Sequence, residues 1–528
     1  MRILVVEPLA AEGLELLRRH HEVDEKLGLP REEIIAILPE YDALVVRSQV
    51  KADAEMIAAG TRLVVIGRAG VGVDNVDLEA ATRAGITVVN APTGNTIAAA
   101  ELTIALLFGL ARKIAAADAS MRRGEWKRSQ FTGMELRGKT LGIVGLGKIG
   151  QAIAVRARAM QMTVIASDPF VTPEQAATLG MELVTFDDIV TRADAITVHV
   201  PKTKATTGLI NAAVMARMKP SVILLNVARG GVIDEADLAA ALRDGTVAGA
   251  GIDVYTAEPP TGNPLLDAPN TLLTPHLGAS TEEAQVAVAE EVAEQILEVL
   301  DGRPAKYAVN APLLTPETAQ AIAPYLPLAE TLGQFAAQMV PAAPQTLTIE
   351  IAGEPAAFDA SSLVAAVLRG LLEATTEERV NLVNAGTLAK ARGITVVERK
   401  TPDAGAFASL LTVTAEADGG AITVAGTVAR GEPRLVRLGE HAMDLAPAGH
   451  MLITNHRDRP GTVGRVGVLL GQSDVNISSM TLARSAPRAD AFMVLALDDD
   501  PPASVVAAIR ADDAVIDVWS VSLGGGHR

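Results

Sequence analysis

KTLGIVGLGKIG (residues 139–150) sets GxGxxG between a short apolar run and a helix-forming stretch, QAIAVRARAM (151–160). Alone the pattern is weak, but a strand before it and a helix after it are the context that dinucleotide binding requires. Gly145 permits the tight turn, Gly147 lets the backbone approach a pyrophosphate, and Gly150 lets the helix pack on the strand. The free N–H groups of the helix N-terminus then face the phosphate charge. The next strand, MTVIASD (162–168), ends in Asp168, about 20 residues on, where a carboxylate accepts from both ribose hydroxyls and repels a 2′-phosphate. NAD is therefore the expected cofactor. The bland alternative is an ordinary turn with a solvent-facing Asp168.

Outward from that turn, TLGIVG, MTVIASD, AITVHVP, VILLNVA, VAGAGIDV and TLLTPH read as strands separated by helices, the order of a doubly wound parallel sheet. The N-terminal stretch repeats the pattern with RILVVEP, ALVVRS, RLVVIGRAG and ITVVNAP (86–92), and one helical stretch then runs from about Ile97 to Arg123. A helix is also expected over 282–302, stopped by Gly302 and Pro304. After about Asn310 the texture changes to an α+β insert. Proline-interrupted helix precedes four strands, TLTIEIAG, ITVVERK, LLTVTAEA and AITVAGTVARG, at hairpin spacing. From about Met451 the order is βαββαβ, that of a ferredoxin-like module.

A chain of 528 residues is too long for one core and implies three or four domains. The net charge of −17 argues against a nucleic-acid partner, though a local Arg cluster can still bind an anion. With no cysteine, disulfides, thiolate nucleophiles and Cys metal sites are excluded, and no metal is expected. The first residues do not read as a signal peptide. The most apolar run, LTIALLFGLA (102–111), is about half a membrane span and reads as a buried helix. No membrane partner is expected, and the cytoplasm is the default address.

A nicotinamide site implies hydride transfer, and on an anionic substrate that calls for a cation to hold it, a group to take up a proton, and a group to tune that group. Of eight histidines only His199 and His276 lie in the second α/β unit. His276, in TPHLGAST, follows a strand at the carboxyl edge, where ligands bind in open α/β sheets. His199 reads as cleft lining or a structural residue. Arg229, in NVARGGVID, can grip a carboxylate with two parallel hydrogen bonds, or pair with a local acid such as Asp234. Glu258, in YTAEPP, is either the acid beside His276 or a solvated loop residue.

The set AGVGVDNVDLEAATRAGI (69–86), GNTIAAAE (94–101), GIVGLGKIG (142–150), NVARGGVIDE (226–235), GIDVYTAEPP (251–260) and PHLGAST (275–281) strongly resembles the D-2-hydroxyacid dehydrogenases, in their long form with two extra C-terminal domains that acts on D-3-phosphoglycerate. That resemblance implies Arg229 on the substrate carboxylate and carbonyl oxygen, His276 as general acid/base, and Glu258 holding it. It implies Lys148 and Ile149 at the pyrophosphate, Val200, Val227, Ala228 and Gly278 along the cofactor cleft, and Asp253 at the nicotinamide carboxamide. It also implies a flavodoxin-like substrate-binding domain from residues 1–97 and 282–310, with the NAD-binding Rossmann domain, 98–281, inserted in it. An α+β domain, 311–450, and an ACT domain, 451–528, would follow. The implied reaction is oxidation of D-3-phosphoglycerate to 3-phosphohydroxypyruvate, the first step toward L-serine.

A phosphorylated substrate needs further cations. Arg47 and Arg68 both follow strands of the first unit and are the candidates, with Lys51 behind them. RRGEWKRSQFTG (122–133) reads as a solvated basic loop; the resemblance instead implies contact with a second subunit, with Lys127 or Arg128 reaching across in a homo-oligomer, dimer or tetramer. NHRDRPG (455–461) and VNI (475–477) resemble an ACT domain, implying an amino-acid effector, serine, with Asn455, Asp458 and Asn476 as candidate ligands. The alternative there is a purely structural dimerisation module. Two other readings of the whole chain remain. One is a dehydrogenase for glyoxylate, hydroxypyruvate or D-lactate, which needs neither Arg47 with Arg68 nor the sensor tail. The other is a non-enzymatic NAD-sensing corepressor.

Overall fold

The computed structural model describes residues 1–312, 316–373, 375–376, 378–447 and 449–523; the last five residues of the 451–528 segment therefore lie outside the described residues. The first sheet contains β1 (Arg2–Val5), β2 (Glu22–Glu25), β3 (Ala43–Val46), β4 (Val65–Arg68) and β5 (Thr87–Asn90), all parallel, in the order β2-β1-β3-β4-β5. That is the flavodoxin-like order. ALVV of β3 is buried along its whole length because helices cover both faces of the sheet. One face packs on the helix Glu282–Leu300, whose Val288, Val292 and Ile296 join Val5, Val45 and Val65 in one core. Each such side chain contributes about 1.5–3 kcal/mol on burial.

The second sheet contains β6 (Thr140–Val144), β7 (Thr163–Ser167), β8 (Glu182–Leu183), β9 (Ala195–Val198), β10 (Ile223–Asn226), β11 (Gly249–Ile252) and β12 (Thr271–Leu273). All are parallel, in the order β12-β11-β10-β9-β6-β7-β8. The order reverses between β6 and β9, so the glycine turn after β6 opens at the switch point of a doubly wound sheet. The helical stretch expected from Ile97 to Arg123 is two helices, Thr96–Ala111 and Ile114–Arg122. Lys113 breaks them by adopting a left-handed φ of 53°.

The insert holds β13 (Thr346–Gly353), β14 (Thr395–Thr401), β15 (Ser409–Ala417), β16 (Gly420–Ala429), β17 (Glu432–Leu438) and β18 (His441–Leu445), ordered β14-β13-β15-β16-β17-β18. The first two strands are not a hairpin. They run parallel, joined by a crossover containing the helices Ser361–Glu373 and Ala385–Ala391. The last sheet, β19 (His450–Arg457), β20 (Ile477–Arg484), β21 (Asp490–Leu497) and β22 (Val515–Ser522), has the order β20-β21-β19-β22, which is the ferredoxin-like arrangement. One sheet face is covered by its own helices, through Val466, Leu470 and Ile509. The other places Met451, Ile453, Phe492, Val494 and Val521 in a core shared with the insert. Among the described residues no helix is long and apolar enough to cross a membrane.

Candidate active site

The first two α/β units meet around a cavity of about 710 Å³ lined by residues of both. That volume lies within the usual range for small-molecule sites. Gly147, Lys148, Ile149 and Gly150 line it at the glycine turn, and Val200, Val227, Ala228 and Gly278 line it further along. The turn has the shape a dinucleotide needs. Gly145 has φ +96°, and a side chain there would strike the carbonyl of His199. At Gly150 a Cβ would lie 2.3 Å from the Gly145 oxygen, so only glycine lets this helix start so close to the strand. At Gly147 a Cβ would meet no protein atom within 4 Å. The glycine there keeps the cavity side of the turn open, as a pyrophosphate requires. Asp168 accepts from the Leu146 N–H at 2.7 Å and the Phe170 N–H at 2.8 Å, fixing its carboxylate beside the turn. These residues fit NAD.

Arg229, Glu258 and His276, far apart in the chain, line the same cavity. His276 Nδ1 lies 2.7 Å from Glu258 Oε2. With Nδ1–H donating to that carboxylate, Nε2 carries the free lone pair. Burial pushes the Glu258 carboxyl up, but hydrogen bonds from His276 and the Tyr255 N–H outweigh it, and it sits below the usual glutamate value. His276 has a left-handed φ of 58°, which costs a non-glycine residue about 1–2 kcal/mol.

Asp253 stabilises that conformation. Asp253 is fully buried. Its carboxylate accepts from Thr274 Oγ1, Leu277 N and Gly278 N at 2.6–2.9 Å, and its carbonyl accepts from His276 N at 2.9 Å. A buried carboxylate must be satisfied, and the turn around His276 satisfies it. Asp253 therefore holds the histidine loop, directly behind the cavity-lining Gly278.

Arg229 is not paired with Asp234, which instead caps the helix Glu235–Asp244. Arg229 Nε donates to Asp74 Oδ2 at 2.9 Å, across the two units, and Nη1 donates to the Ala228 carbonyl at 2.7 Å. His199 also lines the cavity, with Nε2 2.7 Å from Thr197 Oγ1 and Nδ1 buried without a partner. Desolvation lowers its pKa to about 3, so the ring is neutral.

Arg47 and Arg68 enter the cavity from the first sheet, whereas Lys51 is exposed and outside the lining. Among the described residues Arg68 makes no ion pair, and its Nε is buried without a partner. Burial, with Arg229 nearby, pushes its pKa down to about 10, so it stays charged at neutral pH. An unpaired, half-buried cation facing a cavity suits an anionic ligand. The sequence reading missed how AGVGVD (69–74) serves this cluster. A Cβ at Gly70 would lie 1.7 Å from Arg68 Nη1, and one at Gly72 would lie 1.7 Å from Arg229 Nη2. The alternating glycines leave room for two guanidinium groups, and Asp74 at the end of the motif pairs with one of them. That alternation was the available signal.

The candidate effector residues are partly engaged within the last module. Asp458 Oδ2 accepts from Arg484 Nη1 at 2.7 Å and from Arg488 N, and Asn476 Nδ2 donates to Asp498 at 2.7 Å. Asn455 Oδ1 is buried without a partner. Lys127 pairs with Glu125 at 3.2 Å, and Arg128 is exposed. Among the described residues no group of three or more His, Asp or Glu is arranged to hold a metal ion.

Residues 104–278 match the family model of the D-isomer specific 2-hydroxyacid dehydrogenase NAD-binding domain, which with this cleft defines the class as NAD-dependent D-2-hydroxyacid dehydrogenases. Residues 321–439 match the D-3-phosphoglycerate dehydrogenase intervening domain, and residues 450–514 match the ACT domain. The D-3-phosphoglycerate dehydrogenase of Archaeoglobus fulgidus is 44% identical over 527 residues, covering 99% of this chain and 100% of that protein. That of Synechocystis sp. is 45% identical over 524 residues, covering 99% of this chain and 95% of that protein. The chain belongs to the D-3-phosphoglycerate dehydrogenase family. Among solved structures, the TT0316 protein from Thermus thermophilus is 38% identical with TM-score 0.55, covering 58% of this chain and 100% of its own. An NAD-dependent formate dehydrogenase from Staphylococcus aureus in complex with NAD is 31% identical with TM-score 0.53, covering 58% of this chain and 97% of its own.

Proposed function

We propose that this chain oxidises D-3-phosphoglycerate to 3-phosphohydroxypyruvate with NAD in the cytoplasm, the first step toward L-serine. The observation that carries the reading is one cavity holding a His276–Glu258 pair at 2.7 Å, the Arg229 guanidinium, and an unpaired Arg68 beside Arg47. In this reading residues 1–97 with 282–310 bind substrate and 98–281 bind NAD. Arg229 holds the carboxylate and the C2 oxygen through the donors that Asp74 and the Ala228 carbonyl leave free. Glu258 keeps the proton on His276 Nδ1, so Nε2 takes the C2 hydroxyl proton, and returns it in the reverse direction. NAD, when bound, supplies the acceptor for the C2 hydride. Arg47 and Arg68 take the phosphate, where charge-assisted hydrogen bonds are stronger than neutral ones.

The test follows NADH absorbance with 3-phosphohydroxypyruvate, hydroxypyruvate and glyoxylate in parallel. The phosphorylated substrate is expected to have the highest kcat/KM. Equal values would favour a general 2-hydroxyacid enzyme, and no turnover on any would favour an NAD-sensing protein.

The same reading extends to assembly and regulation. Phe108, Ile114, Met121 and Trp126 are exposed along the two helices and loop that precede β6, the segment proposed to meet a second copy in a dimer or tetramer. Serine is the proposed effector of the 451–528 module, and the buried unpartnered Asn455 Oδ1 supports a ligand beside it. The role of the 311–450 domain is to join that module to the substrate-binding domain, which it touches through Arg379 Nη1 on the Leu63 carbonyl and Asn381 Nδ2 on the Gly85 carbonyl. A serine titration of initial rate together with a sizing measurement checks both proposals; no effect at saturating serine, or a monomer, would remove the respective one.

A further inference from the structure

The phosphate end of the cleft has a support behind it. The first sheet reverses its strand order between β1 and β3, so the carboxyl ends of those strands diverge there and leave a crevice. Arg47 follows β3 at that place, and Glu7 follows β1 opposite it. Glu7 is 5% exposed and is turned inward. Its Oε2 accepts from the N–H groups of Arg47 at 2.6 Å and Val50 at 3.1 Å, and its Oε1 from Ser48 at 3.2 Å and Gln49 at 2.9 Å. Four successive N–H groups thus converge on one carboxylate. From the other side Asn75 Nδ2 donates to the carbonyls of Arg47 at 2.9 Å and Val50 at 2.7 Å. The carbonyl of Pro8, next to Glu7, accepts from Arg47 Nη1 at 3.1 Å.

Four converging N–H groups form an anion-binding concavity. In this chain Glu7 fills it, so the loop backbone is not available to a substrate phosphate. The phosphate must then be recognised by side chains, and the clamp fixes where the Arg47 side chain starts. We propose that Glu7, with Asn75 as the opposing jaw, is a positioning residue for phosphate recognition: it acts through Arg47 and sets the preference for phosphorylated over unphosphorylated 2-oxoacids. This rests on the proposed function above. An interaction that must be held in a fixed geometry to discriminate loses much of its value when its support loosens.

Glu7→Gln keeps the shape but has one acceptor oxygen in place of two. Whichever way the amide turns, its NH2 faces two of the four N–H donors, and that side of the loop is released. The readout is the ratio of kcat/KM for 3-phosphohydroxypyruvate to that for hydroxypyruvate, with NADH as reductant, in wild type, Arg47→Ala and Glu7→Gln. NADH affinity, read from its fluorescence, reports that each variant is folded. The expected result is a ratio above one in wild type, falling on the order of tenfold or more in Arg47→Ala and by a comparable factor in Glu7→Gln. If Glu7→Gln does not fold, Asn75→Ala opens the clamp from the other side and must lower the same ratio. A wild-type ratio near one would sink the proposed function itself. A ratio lost in Arg47→Ala but kept in the clamp variant, or equal losses on both substrates in that variant, overturns the positioning role alone.

Discussion

The first 310 residues and the rest of the chain are both sheets covered by helices, yet they use burial differently. In the first part, two parallel sheets keep separate cores and point their switch points at one cleft. Buried polar atoms without partners on Arg68, Asn95 and His199 belong to residues that line it, and His276 holds a left-handed backbone there. In the second part, two mostly antiparallel sheets share one apolar core running from Ile322 to Val521, beside the smaller core under the last module's own helices. Unpartnered buried atoms also occur in the second part, on Arg369, Arg437, His441 and Asn455, but those of Arg68, Asn95 and His199 converge on one cavity beside the left-handed His276, and that convergence marks where chemistry is done. A shared core joining two modules marks where stability and coupling reside. Substitutions in the two parts should therefore separate activity from stability.

The largest effect is expected at the cleft. His276→Ala should lower kcat by about 10²–10⁴-fold, the range for loss of a general acid/base, while NADH affinity changes little. Stopped-flow turnover with parallel fluorescence titration checks this; unchanged kcat would remove His276 from the reaction. The counterpart in the second part is Phe335, which is fully buried in the shared core. Phe335→Ala should destabilise that core by about 3–5 kcal/mol, through lost transfer energy and the cavity left behind. KM for the phosphorylated substrate should stay near the wild-type value. Differential scanning calorimetry beside steady-state kinetics decides it, and a large KM change would mean the two parts are not separable in this way.

A smaller effect is expected in the pH dependence of stability. His199 is held neutral, with its pKa lowered by desolvation from 6.5 to about 3. The unfolded ring takes up a proton below about pH 6.5. The folded ring does not until much lower pH. His199 therefore contributes stability that is present in full above the unfolded pKa and declines as pH falls through the window down to about 3. The slope is close to one proton, or roughly 1.4 kcal/mol per pH unit. Denaturant midpoints at pH 7, 6 and 5 should fall more steeply for wild type than for His199→Gln. Parallel slopes would show that the ring is not kept neutral by the fold.

What could be read from the sequence follows the same division. Strands buried on both faces, such as ALVV of β3 and ILLN of β10, announce themselves as apolar runs, and the glycine turn announces its ligand. The short edge strands EVDE of β2 and EL of β8 do not, because backbone pairing with a neighbour makes them strands and their side chains are largely in solvent. β17 and β18 were hidden for a related reason: their charged and histidine positions interrupt any alternation. In the site, Arg229 and His276 were legible because each follows a strand at the carboxyl edge, whereas Glu258, in the loop between β11 and β12, was expected beside His276 only through the family resemblance. Glu7 and Asp74 were not. Glu7 acts on a loop that begins 40 residues away, and Asp74 on an arginine 155 residues away. Periodicity in one stretch carries no trace of a partner in another.

The smallest effect concerns that last contact, which joins the two units of the cleft. Asp74 is 65% exposed and Arg229 27% exposed at the side chain, so solvent screens the pair. Such pairs contribute about 0.2–1 kcal/mol. Asp74 also occupies Arg229 Nε, and the Ala228 carbonyl takes a proton of Nη1, so the two contacts fix the orientation of the guanidinium and leave Nη2 free of them. Two opposing consequences of Asp74→Asn can therefore be weighed. Loss of orientation lowers kcat/KM, whereas removal of a negative charge beside the carboxylate site strengthens substrate binding. Because the amide can still accept from Nε–H, orientation is largely kept in Asn and lost in Ala. Asp74→Asn should leave kcat/KM within about twofold of wild type, and Asp74→Ala should lower it by no more than about fivefold. The difference between the variants should shrink little with added salt, since it reflects geometry more than charge. If both variants lost activity equally, and salt removed the effect, Asp74 would act on Arg229 through its charge alone.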